Sequence, residues 1–488
     1  MELNKLLREV KIIKSNVSAT CEVRSIVNDS RLATTGDLFV AIKGNRRNGC
    51  DYIADALKNG AVAIVTEDES VCSNDVPYVL VNSVRFAICK LWSNYYENPG
   101  KNILTVAITG TNGKTTSAYF LYNILRSAGI ACALISTVEC LINDEGTDVS
   151  DCSVSDISAA MTTPEPQVLY SLYNKMKKKG VRIAVIEASS HALAQHRLDD
   201  LNIEIGAFTN LSREHLDYHI SMEDYFFAKK HLFDMCKKSV INTDDAYGKI
   251  LYNEFSEKSV GFSKNLGVDA QIEVIEKKES GYLYSLTENN SKMIIETRLL
   301  GNYNVYNSAL AALCAKYLGI GEKYITEGIL RTEKVKGRME RYRDKEIYID
   351  YAHTPEAMKM SISALKEIRP EKRLIVLFGC GGNRDKGKRA EMGRVCSSLA
   401  DFTIITSDNP RDENPHEILC DIVKGITKNK EFSVIPKREE AIEFAVRHMC
   451  ENEVLLLLGK GHEIYEINSN GKVYFDERDV LDRVFSVD

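Results

Sequence analysis

The chain has 488 residues, 44% of them hydrophobic and 27% charged, enough for about three domains at roughly 150 residues each. A formal charge of −6, with Lys and Arg scattered rather than clustered, gives no electrostatic footprint for nucleic acid or an anionic membrane, so small-molecule partners are expected. Thirteen cysteines, odd in number and without a Cys-x-x-Cys pair, indicate neither a disulfide framework nor a zinc site, and imply a reducing compartment.

The first ten residues spread their charges and have no apolar core, and no later stretch approaches the roughly 20 apolar residues of a membrane span. A cytoplasmic protein without integral membrane contact is expected. A first unit ends where Asn98-Pro-Gly100 breaks a helical pattern. Short apolar strands follow at Ile183-Ala-Val-Ile186, Ile205-Gly-Ala-Phe208 and Ser239-Val-Ile241, separated by segments of helical period, which predicts crossover units and a mostly parallel sheet. After a helical region over 307–330, the polar stretch Thr332-Glu-Lys-Val-Lys336 marks a second boundary. Strands predicted at 374–378, 402–405 and 454–458 then run into the turns Gly379-Cys-Gly-Gly382, Ser407-Asp-Asn-Pro410 and Gly459-Lys-Gly461. Open α/β sheets bind ligands at such carboxyl ends. The expected fold is α/β with domains over 1–100, 101–333 and 334–488.

The most informative segment is Val106-Ala-Ile-Thr-Gly-Thr-Asn-Gly-Lys-Thr-Thr116, an apolar strand entering a glycine turn that ends in Lys-Thr at a helix start. Gly110, Thr111, Asn112 and Gly113 would cradle phosphates with backbone N–H groups, Lys114 would reach the terminal phosphates, and Thr115, followed by Thr116, would offer a hydroxyl to Mg²⁺. ATP is the expected ligand. The spacing is shorter than that of a common P-loop and argues against a generic kinase or GTPase. Glu187, at a strand end, is placed to share that Mg²⁺ with Thr115. The run Asn210-Leu-Ser-Arg-Glu-His-Leu-Asp-Tyr-His219 packs histidines and acids into one loop, although Mg²⁺ prefers oxygen to the imidazole of His215.

Taken together and in order, these motifs resemble the Mur ligases, ATP-dependent amide-forming enzymes of peptidoglycan precursor synthesis. The resemblance covers nearly the whole chain. Asp29-Ser-Arg31 and Gly36-Asp-Leu-Phe-Val-Ala-Ile-Lys-Gly44 look like the uridine nucleotide-binding domain, with Ser30 near the uracil. Thr162-Thr-Pro-Glu165, Glu187-Ala-Ser-Ser-His191 and Gln195-His-Arg197 place Thr162, Thr163, Ser189, Gln195 and Arg197 on the UDP substrate. Gly301-Asn-Tyr-Asn-Val-Tyr-Asn307, Gly337-Arg-Met-Glu340 and Asp350-Tyr-Ala-His-Thr-Pro355 resemble ATP-binding segments and bring in Asn304, Asn307 and Arg338.

The resemblance implies phosphorylation of a substrate carboxylate by ATP and attack of an amine on the acyl phosphate. Lys114, Glu187, His215 and Lys229 would be the catalytic set. His215 would join a second Mg²⁺, whose other family ligand is a lysine carbamate, matched by Lys229 in Tyr225-Phe-Phe-Ala-Lys229. The third domain resembles the member that adds the third amino acid. There Asp408-Asn-Pro-Arg411 matches adders of meso-diaminopimelate to UDP-N-acetylmuramoyl-L-alanyl-D-glutamate. Arg411 would hold the distal carboxylate, Arg384 the other end, and Asp408, Asn409, Gly459 and Glu463 the ammonium and carboxylate groups. A lysine-adding homologue, a folylpolyglutamate synthase and a non-catalytic nucleotide-binding protein are the rival readings, and a monomer is expected. Asn383 and Cys50 depart from the family pattern, which usually has Asp and His there, and the polar stretch 143–158 aligns poorly.

Overall fold

The apolar strands of this chain separate into several sheets, seen in a computed structural model that describes residues 1–44, 47–146 and 161–486. Of the polar stretch 143–158, residues 147–158 lie outside the described residues. Contacts divide the chain into two compact units. The first comprises Met1–Ala107, Ala131–Gly206 and His231–Lys237, and the second Ile108–Ile130, Ala207–Lys230 and Lys238–Asp488.

In the first unit, β1 (Ile12–Ser15), β2 (Ile26–Val27), β3 (Leu38–Val40), β4 (Ala63–Thr66) and β5 (Tyr78–Val81) form a sheet ordered β1-β5-β4-β3-β2. All neighbours are parallel except β1, which runs antiparallel to β5 at the edge. β3 is buried at every residue, as a strand covered on both faces must be, and Phe39 packs with Ile64, Tyr78 and Leu80. The helix Val84–Tyr95 follows, its N-terminus closed by Ser83, whose hydroxyl accepts from the Phe86 amide. Its buried Lys90 donates to Glu9 at 2.7 Å and Asp200 at 2.6 Å.

The same unit holds β7 (Cys132–Ile135), β8 (Cys140–Ile142), β9 (Glu145–Gly146), β10 (Ile183–Glu187) and all but the last two residues of β6 (Leu104–Thr109) and β11 (Asn202–Phe208), ordered β11-β6-β10-β7-β8-β9. β7 and β10 pair in parallel, while β7, β8 and β9 form an antiparallel run.

In the second unit, β12 (Lys238–Asn242), β13 (Ser259–Ser263) and β14 (Ala270–Lys278) are parallel, and β15 (Gly281–Glu288) and β16 (Ser291–Thr297) complete an antiparallel meander. The meander departs from the mostly parallel sheet expected. Its alternation of buried and exposed residues, as in Met293, Ile295 and Thr297 buried against exposed Lys292 and Ile294, is that of a sheet covered on one face. The helical region predicted over 307–330 is two helices, Tyr303–Tyr317 and Glu322–Arg331. Gly319, at φ +82°, turns the chain between them.

A further sheet contains β17 (Glu340–Arg341), β18 (Ile347–Asp350), β19 (Arg373–Phe378), β20 (Phe402–Ile405), β21 (Phe432–Val434) and β22 (Glu453–Leu458), in the order β17-β18-β22-β19-β20-β21. All its pairs are parallel except the edge pair β17·β18. β22 shows why its run of leucines is needed: Val454, Leu456 and Leu458 enter one core, and Leu455 and Leu457 the other. A hairpin of β23 (Tyr465–Asn468) and β24 (Gly471–Tyr474) follows. Among the described residues no helix is long and apolar enough to cross a membrane.

Candidate active site

The phosphate loop leaves β6 and enters the helix Lys114–Ser127, as the strand-to-helix pattern predicts. Gly110 at φ +144° and Gly113 at φ +87° supply backbone angles that a side chain would resist. A Cβ on Gly110 would sit 1.9 Å from Thr209 Oγ1, and one on Gly113 2.4 Å from Asn307 Oδ1. The loop is fixed from outside: the Thr111 and Asn112 amides donate to Asn210 O and Asn210 Oδ1 at 2.8 and 3.0 Å. Lys114 Nζ curls back onto Gly110 O and Thr111 O at 2.9 and 2.8 Å. Thr116 is buried in the first turn, and Thr115 Oγ1 accepts from Arg338 at 3.0 Å. Asn307 Nδ2 donates to Asn304 Oδ1 at 2.8 Å, so Asn304, Asn307 and Arg338 gather at this loop. Gly113→Ala is expected to raise KM for ATP at least tenfold with secondary structure intact, checked by ATP saturation kinetics and circular dichroism.

Beside the same loop in the second unit, Lys229 is fully buried, its Nζ donating to Gly110 O at 2.9 Å and lying 4.7 Å from the centre of the Tyr225 ring. Burial first, and the Lys114 charge second, hold its pKa well below the ordinary lysine value. His215, at φ +57°, has its pKa lowered to about 4, chiefly by burial, so its imidazole is neutral with a lone pair to offer. Glu214 ties that loop to His353 by a 2.7 Å contact with Nε2. Its carboxyl lies well below the usual range because its interaction with His215, its hydrogen bond to His353 and the Lys388 charge outweigh burial.

In the first unit, Glu187 at the end of β10 is fully buried and accepts from Thr137 twice, from N at 2.8 Å and from Oγ1 at 3.1 Å. The Thr137 hydroxyl oxygen, its proton given to Glu187, accepts from the Thr162 hydroxyl at 3.1 Å. Thr163 Oγ1 donates to Glu187 O at 2.7 Å and lies 3.2 Å from Ser189 Oγ. Buried Arg197 donates to Thr163 O, Glu165 and Gln195 at 2.6–2.7 Å. Thr162, Thr163, Ser189, Gln195 and Arg197 therefore belong to one hydrogen-bonded group with Glu187. Ser30 belongs to the N-terminal sheet region, where Asp29 caps its short helix and Asn59 Nδ2 binds its carbonyl at 2.9 Å.

The amino-acid-binding candidates collect at the carboxyl ends of the C-terminal sheet. Arg411, at φ +54°, donates to Gly382 O at 2.9 Å and Asn409 O at 3.2 Å, and only backbone oxygens receive these bonds. Burial and then the Arg384 charge push its pKa below the ordinary value, which marks a positive field short of negative charge. Arg384 pairs with Asp217 at 3.0 Å. Asp408 is buried yet held below its usual value, since Lys460, Arg438, His353 and Arg411 overcome the cost of burial. Gly459 lets it approach, for a Cβ there would lie 2.6 Å from Asp408 Oδ2. Glu463 is raised by burial and by Asp408, and accepts from Asn409 Nδ2 at 2.8 Å. Arg384, Arg411, Asp408 and Glu463 thus form one cluster of mixed charge at these strand ends.

Asn383 takes φ +53°, a left-handed angle Asn tolerates, and donates to Asp412 at 2.8 Å; Cys50 Sγ lies 3.7 Å from Thr66 Oγ1. Sequence reasoning missed Thr137, whose signal was its place just past an apolar strand, and Lys460, a fully buried lysine 3.1 Å from Asn409 Oδ1. It also missed Glu214 as the partner of His353, because that pairing joins residues 139 positions apart.

A glycine cradle at a strand-to-helix turn, a buried lysine beside it and a cluster of charged side chains at the carboxyl ends of a parallel sheet are the features of an α/β nucleotide-using enzyme. Family models match in three places: "Mur ligase family, catalytic domain" over residues 22–87, "Mur ligase middle domain" over 108–315, and "Mur ligase, glutamate ligase domain" over 337–461. The chain is 39% identical over 492 residues to the UDP-N-acetylmuramoyl-L-alanyl-D-glutamate–2,6-diaminopimelate ligase of Caldanaerobacter subterraneus subsp. tengcongensis, covering 100% of this chain and 99% of that protein. It is 37% identical to the ligase of the same name from Clostridium perfringens, covering 99% of each. A solved structure with that ligase name superposes with a TM-score of 0.68 at 29% identity, covering 100% of this chain and 99% of the other. A Mycobacterium tuberculosis folylpolyglutamate synthase complexed with ADP and AMPPCP shares the fold with a TM-score of 0.64 at 14% identity, over 77% of this chain and 92% of its own. The chain belongs to the Mur ligase family.

Proposed function

We propose that this protein is the ATP-dependent ligase that joins meso-2,6-diaminopimelate to the D-glutamate γ-carboxylate of UDP-N-acetylmuramoyl-L-alanyl-D-glutamate, releasing ADP and phosphate. The observation that carries the reading is the Arg384 and Arg411 field, which suits an acceptor with a carboxylate where lysine has only an ammonium. The names of the relatives at 37–39% identity support the same acceptor. Three domains, over 1–100, 101–333 and 334–488, are the working division, supported by the ranges of the three family matches. The enzyme works as a cytoplasmic monomer.

The site's own residues account for most of the reaction. Lys114 and the amides at the start of its helix hold the phosphates of ATP, since the Thr111 and Asn112 amides are engaged by Asn210; Thr163, Ser189, Gln195 and Arg197 hold the UDP substrate; and Asp408 and Glu463 fix the acceptor's ammonium end so that its free amine reaches the acyl phosphate. Collapse of the tetrahedral intermediate expels phosphate and leaves the amide. In the second unit the Thr115 hydroxyl and a carbamate on Lys229 would offer Mg²⁺ the oxygen donors it prefers, with the imidazole of His215 as a less usual ligand, and in the first unit the Glu187 carboxylate is a further oxygen donor. Bound there, Mg²⁺ would neutralise phosphate charge. A neutral buried amine is the form of lysine that adds CO₂, so the depressed pKa of Lys229 supports the carbamate.

The test is phosphate release with the UDP-muramoyl dipeptide, ATP and Mg²⁺, comparing meso-diaminopimelate, L-lysine and no amine. Release that depends on diaminopimelate is expected. Preference for lysine would overturn the acceptor assignment, and amine-independent turnover the ligase reading itself.

A further inference from the structure

Away from the phosphate loop, the first unit brings together a second set of donor atoms that the ligase reaction does not use. His196 Nδ1 lies 2.8 Å from Asp199 Oδ2, and His231 Nε2 lies 2.9 Å from Asp199 Oδ1. One donor atom from each residue falls within 4.8 Å of the other two, and the two imidazoles meet edge to face with centroids 5.2 Å apart. All three side chains are partly exposed, so an ion has a route from solvent. His196 holds φ +59°, a conformation that costs a β-carbon residue energy and that places its ring across the turn from Asp199. The backbone bond from Asp199 N to His196 O, 3.2 Å, closes that turn, and His231 comes from the last turns of the helix Met222–Met235.

The chemistry of this set differs from that of the loop. Two imidazoles and one carboxylate are the donors preferred by borderline transition-metal dications, whereas Mg²⁺ prefers a set dominated by oxygen. We propose that His196, Asp199 and His231 form a binding site for one transition-metal dication of the Zn²⁺ class, with its remaining position open to water. In the metal-free form the imidazole N–H groups donate to Asp199; on binding, each of these nitrogens turns its lone pair to the ion, a neutral ring moving its proton to the other ring nitrogen and a protonated ring releasing one proton to solvent. The ligand-to-ligand separations need close by at most about 1.5 Å to reach the spacing set by bonds of roughly 2.0–2.2 Å. A bound ion would tie the turn that carries Gln195 and Arg197 to the end of the helix that carries Lys229. The ion is ancillary: the amide-forming reaction runs on the loop's own groups.

The test uses the full-length protein in millimolar Mg²⁺ and ATP analogue, with ZnCl₂ as the probe against a chromophoric chelator. One equivalent of tight Zn²⁺ is expected, released with protons, and weakened about 100-fold or more in His231→Leu and in Asp199→Ala. His416→Ala, at a histidine beside exposed Cys420 on another surface, should bind as the wild type does. His231→Cys guards against loss of folding as the cause, because Co²⁺ bound to that variant should gain a near-ultraviolet thiolate band that the Co²⁺-loaded wild type lacks. Zn²⁺ binding equal in wild type and both ligand-deleted variants would overturn the proposal, as would a Co²⁺ spectrum unchanged in His231→Cys.

Discussion

Lys229→Ala is expected to lower kcat by about 100- to 1,000-fold, the size of effect seen when one preorganised electrostatic group is removed from a site. The side chain is completely buried, touches the phosphate loop through Gly110 O and has its pKa held well below the ordinary lysine value by burial and by Lys114. A lysine placed for charge alone would not be held so; a lysine placed to be carbamylated would. The carbamate predicts a second result that a packing role does not. Wild-type enzyme stripped of dissolved CO₂ should lose activity and regain it with bicarbonate, whereas Lys229→Ala should respond to neither. Steady-state rates at controlled bicarbonate check both, and full activity in Lys229→Ala would falsify the assignment.

Arg411→Ala should cost about 3 kcal/mol of transition-state stabilisation for meso-diaminopimelate, roughly 100-fold in kcat/KM, because truncating one partner of a buried charge pair leaves the other carboxylate unpaired. Most of the loss should appear in KM for the amino acid, with KM for ATP unchanged. Arg411→Lys should not restore it, since an ammonium cannot reproduce the bidentate fork and would sit beside Arg384 without delocalising its charge. L-lysine should be used no worse by Arg411→Ala than by the wild type. Acceptor saturation curves for the two amino acids on the three proteins decide the matter.

How much of this was legible in the sequence depends on the range of the interaction. Local patterns translated directly: the run from Val106 to Thr116 became a strand, a glycine turn and a helix start, and the all-apolar run of β22 became a strand buried on both faces. The helical region over 307–330 was seen as one because its apolar period continues across Gly319, whose left-handed angle breaks it. The antiparallel meander β14–β16 was not foreseen, since its polar residues carry no chain-local sign of which strand they pair with. In the site, resemblance supplied most candidate residues, while pairings such as Thr137 with Glu187 and Glu214 with His353 became visible only through the tertiary fold.

The left-handed backbone at His215, Met339, Asn383 and Arg411 has a consequence for anyone who would make this protein hardier. At His215 and Arg411 glycine would relax the chain, by an amount of order 1 kcal/mol, and delete a group proposed to face a ligand, whereas at Asn383 it would lose the bond to Asp412 and at Met339 it would empty a place in the core. A screen for heat resistance should therefore enrich glycine at Arg411 only at the expense of acceptor choice. In such a library, durability and discrimination would be traded against each other at the same few codons.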